Sequence, residues 1–355
     1  MFGMKKIAAE KKLQGKTMQS FTPVNESIFM LDYQNPYYQK EVLEKGCSNV
    51  VELLLTIAKK LKLAPGALKV LPGQFACTSF NALNDKGQHI LARNFDYRDA
   101  PCTVVWTHPE NGYASIGIIN MNFMLYGYKW NKAAESKQRQ QLLLAPYVVM
   151  DGMNEAGLAI DIVEIKSKAT KQETGKKPIS TTVAMRTVLD TCATCEEAVE
   201  VFKAYDLHNA VFCDYHYHIV EKSGKSVIIE YINNEMRLFY PEEKEGEFPH
   251  QQLVNFYLSE DGDNAKGFGY TRWEYLNEAF AETKGHMNES EAMDLLNKCQ
   301  LSYRKQYTRH IGHDVTSLWS AGYNLEEGTV DLCARMDYDH VYQFRLDRPM
   351  EVVEK

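Results

Sequence analysis

Cys77-Thr78-Ser79-Phe80-Asn81-Ala82-Leu83-Asn84-Asp85-Lys86-Gly87-Gln88-His89-Ile90-Leu91-Ala92-Arg93-Asn94-Phe95-Asp96-Tyr97 reads as two short strands around the turn signal Asp85-Lys86-Gly87. A hairpin closing there folds the second strand back along the first and predicts Arg93 and Asp96 beside Cys77. A guanidinium near a thiol favours the thiolate, which is the nucleophilic form. A carboxylate in the same place can hold an ammonium group, including one freshly exposed at a chain start. Taken singly, each residue has an ordinary explanation: a buried cysteine is usually packing, and an Arg–Asp pair at a strand end need do no chemistry. Taken together, the spacing points to a nucleophile made by processing.

Outward from this hairpin, strands dominate. Thr103–Thr107 and Tyr113–Ile119 are joined by Pro-Glu-Asn-Gly, and Pro146–Met150 and Leu158–Ile165 flank an Asp151–Gly157 turn. Thr181–Asp190 and Glu196–Tyr205 read as consecutive helices. Tyr215–Glu221 and Ser226–Tyr231 are strands, Arg272–Phe280 and Glu289–Lys298 helices, and further strands run from Val315 onward. This alternation of strand groups and helices predicts an α+β chain with sheets packed face to face under helix layers. Residues 1–76 form a separate block, with a helical face at Val51, Leu54, Leu55 and Ala58. Two breakers, Ala64-Pro65-Gly66 and Leu71-Pro72-Gly73, stand just ahead of Cys77, where they would expose a scissile bond or simply join two packed elements.

Three later segments complete a pattern: Asp151-Gly152-Met153-Asn154-Glu155-Ala156-Gly157-Leu158, then Leu253-Val254-Asn255, then Thr271-Arg272-Trp273. With Cys77, Arg93 and Asp96, these resemble in residue and order the choloylglycine hydrolase family of N-terminal-nucleophile hydrolases. That group includes conjugated bile acid hydrolases and penicillin V acylases, with acid ceramidase and the N-acylethanolamine amidases as more distant relatives. The resemblance runs from about Cys77 to the C-terminus. It implies a four-layer αββα sandwich over residues 77–355, preceded by a mainly helical, propeptide-like segment, 1–76. It also implies an amidase that hydrolyses a linear carbon–nitrogen bond of a bile-salt-, penicillin-V- or N-acyl-amine-like substrate. A block ahead of the cysteine matches relatives with a propeptide, so a zymogen and self-cleavage of Ala76–Cys77 are expected.

The site residues carried over by the resemblance are Cys77, Arg93, Asp96, Asn154, Asn255 and Arg272. Cys77 is the nucleophile and, through its freed α-amine, the general base. An unperturbed α-amine titrates at roughly 7.7–8.0, in the range a base needs. Arg93 holds the thiolate, and Asp96 orients the new ammonium group. Asn154 donates toward the oxyanion or accepts from the cysteine amine, Asn255 supplies a second donor, and Arg272 supports the nucleophile or a substrate anion. Two other readings keep the same pattern: an acyltransferase with an amine in place of water, and an unprocessed, silent protein that binds acyl ligands.

The chain has 355 residues, 45% hydrophobic and 25% charged, with a net charge of −7, which argues against nucleic acid as a partner. The charged N-terminus is a poor signal peptide, and the apolar stretch Val50–Ala58 is too short to cross a bilayer. Eight cysteines spread along the chain fit reduced thiols, so the expected location is cytoplasmic. No cofactor or metal is expected. Cys192-Ala193-Thr194-Cys195 lacks a second ligand pair and reads better as a helix start capped by Thr194 and Glu197. Asp261–Gly267 fails as a calcium loop, because Ala265 and Lys266 replace a ligand and the glycine. His216 and His218 share one strand face and read as packing, and there is neither H-E-x-x-H nor G-x-S-x-G. His310 and His313 leave a Cys–His dyad open, without support from spacing. The partner expected is a small acyl amide, and a homo-oligomer is compatible with the sequence.

Overall fold

The turn at Asp85-Lys86-Gly87 closes as its residues require. The Asn84 side-chain oxygen accepts the N–H groups of Lys86 (3.0 Å) and Gln88 (2.8 Å), and Gly87 takes a φ of +74°. The strands Ala76–Leu83 and His89–Tyr97 pair from this turn, which sets Ser79 opposite Arg93, Cys77 opposite Phe95 and Ala76 opposite Asp96. The computed structural model describes residues 2–61, 76–124, 139–209, 213–303 and 314–355. Both breakers ahead of Cys77 and both late histidines lie outside these.

This hairpin belongs to an eight-stranded sheet. Gln252–Leu253 lies outside Ala76–Leu83, and His89–Tyr97 continues to Val315–Asn324, Thr329–Ala334, Tyr342–Arg345 and Arg348–Glu354. A nine-stranded sheet packs on its inner face. Its central strands are Ser115–Asn120, Val149–Asn154, Leu158–Ile165 and Asp214–Glu221. The helices Thr181–Thr191 and Cys195–Ala204 cover the nine-stranded sheet, and Tyr270–Thr283 and Glu289–Lys298 cover the other. The result is the αββα sandwich, with its main apolar core between the sheets.

Three elements differ from the sequence reading. Pro146 lies in a 3-10 helix, Arg139–Val148, because proline has no N–H to give a ladder. The strand therefore runs Val149–Asn154, so Asp151 to Asn154 are strand residues and the turn is shorter than expected. The helix Val50–Leu61 buries Leu53, Leu54, Ile57 and Leu61, whereas Val51 and Leu55 face outward.

The third difference is the largest. The block before Cys77 carries helices Phe2–Ser20 and Gln39–Lys45, and also the strand Ile28–Tyr33. That strand runs parallel to Cys102–Thr107 from Ile28↔Cys102 to Tyr33↔Thr107, extending the nine-stranded sheet. Ile28 and Leu31 are completely buried, and the Tyr33 hydroxyl donates to the Leu143 carbonyl at 2.9 Å. No described helix is long and apolar enough to cross a membrane.

If this strand is core, Leu31→Ala should lower the unfolding free energy by about 2–5 kcal/mol, the usual cost of a buried leucine truncation. Urea denaturation measures this, and a change below about 0.5 kcal/mol, typical of surface positions, would mean that the N-terminal strand is a loose attachment.

Candidate active site

Cys77 is the second residue of its strand and is completely buried. Side chains alternate across a strand, so Cys77, Ser79, Arg93 and Phe95 face the gap between the sheets. Ala76, Thr78, Asn94 and Asp96 face the outer helices. Two arginines use these two faces. On the inner face, Arg93 Nη2 donates to Cys77 Sγ at 3.0 Å. From the helix side, Arg272 Nη1 donates to the Cys77 carbonyl oxygen and to Thr78 Oγ1, the latter at 2.9 Å.

Asn255 completes the grip. Leu253 pairs with Ser79 in the edge strand, so the same register carried on puts Asn255 opposite Cys77. There its side-chain oxygen takes the Cys77 N–H at 3.1 Å and Arg272 Nη2 at 2.7 Å. Its amide nitrogen donates to the Glu164 carbonyl at 2.8 Å. Two donors at the oxygen and one acceptor at the nitrogen fix the amide's orientation. Asn255 thus holds the nitrogen of Cys77 and points its own donor group elsewhere. Gly269 makes room for Arg272: it has a φ of +97°, and a Cβ there would lie 2.6 Å from Arg272 Nη2.

Asp96 is also fully buried. Ser317 Oγ donates to its Oδ1 at 2.5 Å, and Arg272 Nη1 lies 3.8 Å from its Oδ2, which has no hydrogen-bond partner among the described residues. Burial raises its pKa to about 6, against the opposing pull of Arg272, Ser317 and Arg93. Burial likewise pushes the Cys77 thiol up to about 12; Arg93 opposes this, and Asp96, Asp161 and Glu164 reinforce it.

Of the six residues expected from the sequence, Cys77, Arg93, Asp96, Asn255 and Arg272 come together. Asn154 does not join them. Its Nδ2 donates to the Leu189 and Cys192 carbonyls (3.0 and 2.8 Å), and its Oδ1 accepts from Ala156 and Leu158 N–H, both at 3.1 Å. With all its hydrogen-bonding capacity used, Asn154 ties a turn to the end of the covering helix.

The sequence reading passed over the groups that hold Arg93. Asp151 Oδ2 accepts from Arg93 Nη1 at 2.6 Å and from Trp319 Nε1 at 3.0 Å, and Asp151 Oδ1 takes the Tyr323 hydroxyl. Beside it, Asp161 is the direct cross-strand partner of Asp151. Asp161 Oδ2 accepts from Ser79 Oγ at 2.6 Å, and Ser79 Oγ also lies 2.8 Å from His218 Nδ1. Burial lifts Asp161 to about 7 and depresses His218 to about 3. Charged residues within the apolar run Leu158–Ile165 were the available signal, since buried charges seldom lack a purpose. His216 pairs with the buried Glu230 at 2.8 Å, and Cys192 and Cys195 are separate buried thiols beside a helix capped by Thr194.

Comparison with known proteins places this geometry. Among solved structures, the fold is similar to conjugated bile acid hydrolase from Clostridium perfringens, at 17% identity and a TM-score of 0.52 over 79% of this chain and 96% of that one. It is also similar to penicillin V acylase from Agrobacterium tumefaciens, at 18% identity and a TM-score of 0.50 over 73% of this chain and 83% of that one. No curated protein matches in sequence. The family model for linear amide C–N hydrolases, choloylglycine hydrolase family, matches residues 77–260. The chain therefore belongs to the choloylglycine hydrolase family and is a hydrolase of linear amide bonds.

Proposed function

We propose that the uncut chain is a precursor that cleaves its own Ala76–Cys77 bond, and that the freed Cys77 is the nucleophile of an acyl-amide hydrolase. The observation that carries this reading is the two-sided grip on Cys77, with Arg93 3.0 Å from Sγ and Asn255 on the nitrogen at 3.1 Å. Burial supports an internal attack, because Ala76 is 3% and Cys77 0% exposed. Two grooves of about 740 and 510 Å³ are lined by other residues, including Tyr240 and Glu196, and by none of the site.

In the precursor the thiol gives up its proton, which ends on the Cys77 nitrogen as the peptide bond breaks, and Arg93 Nη2, 3.0 Å from Sγ, steadies the thiolate in between. Sγ attacks the Ala76 carbonyl carbon, the carbon–nitrogen bond breaks, and the proton moves to the Cys77 nitrogen. Water then hydrolyses the thioester, leaving a carboxylate on Ala76 and a free thiol. In the mature enzyme the α-amine takes the thiol proton, Sγ attacks the substrate carbonyl, and the amine passes the proton to the leaving group. A second hydrolysis releases the acid. Asp96 and Asn255 Oδ1 hold the new amine, Arg93 the thiolate, and Arg272 the Cys77 carbonyl.

The substrate is a linear acyl amide of the bile-salt, penicillin V or N-acyl-amine type. The cysteines are free thiols, which fits a reducing compartment such as the cytoplasm.

Intact mass and N-terminal sequencing test the processing step. The wild type should yield a chain starting at Cys77 and a fragment ending at Ala76, whereas Cys77→Ala stays full-length. A wild type that remains whole, or a Cys77→Ala chain that is cut normally, would sink the reading. Because Ile28–Tyr33 lies within the sheet, the two pieces should co-elute in native size exclusion and separate only in denaturant. Separation in native buffer would show that the N-terminal piece is released.

A further inference from the structure

The cross-strand pair Asp151 and Asp161 of the nine-stranded sheet faces the cross-strand pair Arg93 and Ser79 of the other. Arg93 takes Asp151, and Ser79 takes Asp161. The donors on the Asp151 side chain, from Arg93, Trp319 and Tyr323, all come from the opposing sheet. Like charges directly across a ladder repel. Here the two carboxyls have different surroundings: Asp151 meets a guanidinium and two further donors, and Asp161 meets a hydroxyl.

We propose that Asp151 is a positioning residue for the Cys77 chemistry, fixing Arg93 so that its second nitrogen stays on the thiol. The inference rests on the reading of Cys77 as the nucleophile. Asp151 touches neither Cys77 nor the scissile bond and acts through Arg93 alone. With Nη1 occupied by Asp151 and by the Met150 carbonyl at 3.0 Å, Nη2 is left to reach Sγ at 3.0 Å and, at longer range, the Ile162 and Asn94 carbonyls at 3.3 and 3.4 Å, and the Arg93 ring contacts over Phe95 and Trp319 hold the plane. The ionisable groups acting on the thiol are Arg93, which favours the thiolate, and Asp96, Asp161 and Glu164, which oppose it. Asp161 belongs to the opposing set without touching Arg93, so the two aspartates separate positioning from bulk charge.

The test follows self-cleavage of freshly synthesised full-length chain between pH 6 and 10 by intact mass, for wild type, Asp151→Asn, Tyr323→Phe and Asp161→Asn. If Asp151 positions Arg93, Asp151→Asn slows cleavage about tenfold at neutral pH and moves the rising limb of the profile about one unit upward, as expected when thiolate is lost. Tyr323→Phe, which keeps both charges, shifts it the same way by less. Asp161→Asn shifts it downward, since it removes only an opposing negative charge. The proposal is overturned if Asp151→Asn shifts downward like Asp161→Asn, or if the melting temperature falls while the profile stays in place. Should Asp151→Asn fail to fold, Tyr323→Phe decides, an unshifted profile overturning the proposal. Should the wild type not cleave, the processing reading fails on its own. The same chains are then compared by alkylation of Cys77 relative to the buried Cys333, where slower labelling of Cys77 in Tyr323→Phe and Asp151→Asn supports positioning and equal or faster labelling overturns it.

Discussion

A guanidinium and a carboxylate that are both fully out of water, Arg93 and Asp151, hold the two sheets in one relation. Removing each charge from water costs several kcal/mol, so such a pair survives only when its remaining atoms are served as well. Arg93 also donates to the carbonyls of Met150, Asn94 and Ile162, and Asp151 receives Trp319 and Tyr323, so that Arg93 Nε is the pair's one polar side-chain atom without a hydrogen-bond partner among the described residues. Because the partners lie on opposite sheets, sliding either sheet against the other would separate them and strand buried charge. The apolar core supplies the drive to pack, but it tolerates many registers. The ion pair selects one, and that register puts a cation on Cys77.

The edge of the sheet explains the other half of the site. Cys77 lies where the short strand Gln252–Leu253 stops pairing, so its N–H would be left without a backbone acceptor. Asn255 supplies one from its side chain, which the backbone of a continued strand would otherwise provide. A side-chain acceptor can serve an amide N–H and, without rebuilding the ladder, an ammonium in the same place. Arg272 matches this on the carbonyl side. The Cys77 backbone is thus held by side chains, Asn255 on the nitrogen and Arg272 on the carbonyl oxygen.

How much of this was legible in the sequence depends on how local the determinant was. The juxtaposition of Cys77 with Arg93 and Asp96 follows from one turn, whose Asn84 and Gly87 fix the hairpin register. The helix and strand groups after Cys77 follow from periodicity, and Asn255 and Arg272 from short motifs in order. Asn154 shows where a motif stops informing: the motif marks a turn between two strands, but which face a side chain takes depends on where the strand begins. Misplacing that start at Pro146 hid the strand character of Asp151, and with it the anchor of Arg93. The strand Ile28–Tyr33 was illegible for another reason. Its parallel pairing with Cys102–Thr107 is long-range and has no turn to announce it.

On the processing proposed above, cleavage adds one charge to those around Cys77. Burial pushes the Cys77 thiol up to about 12, with Arg93 opposing this and Asp96, Asp161 and Glu164 reinforcing it. An amide nitrogen at Cys77 adds nothing to that balance. An α-amine in its place is a base when neutral and, once protonated, a cation on the same residue as the thiol. It would sit beside Asn255 Oδ1, which already accepts the Cys77 N–H. A nearby positive charge lowers a thiol's pKa, so the covalent change that creates the base also favours the nucleophile. On the processing proposed above, the first, self-directed turnover lacks this amine, so an activation slower than later turnovers is the expected consequence.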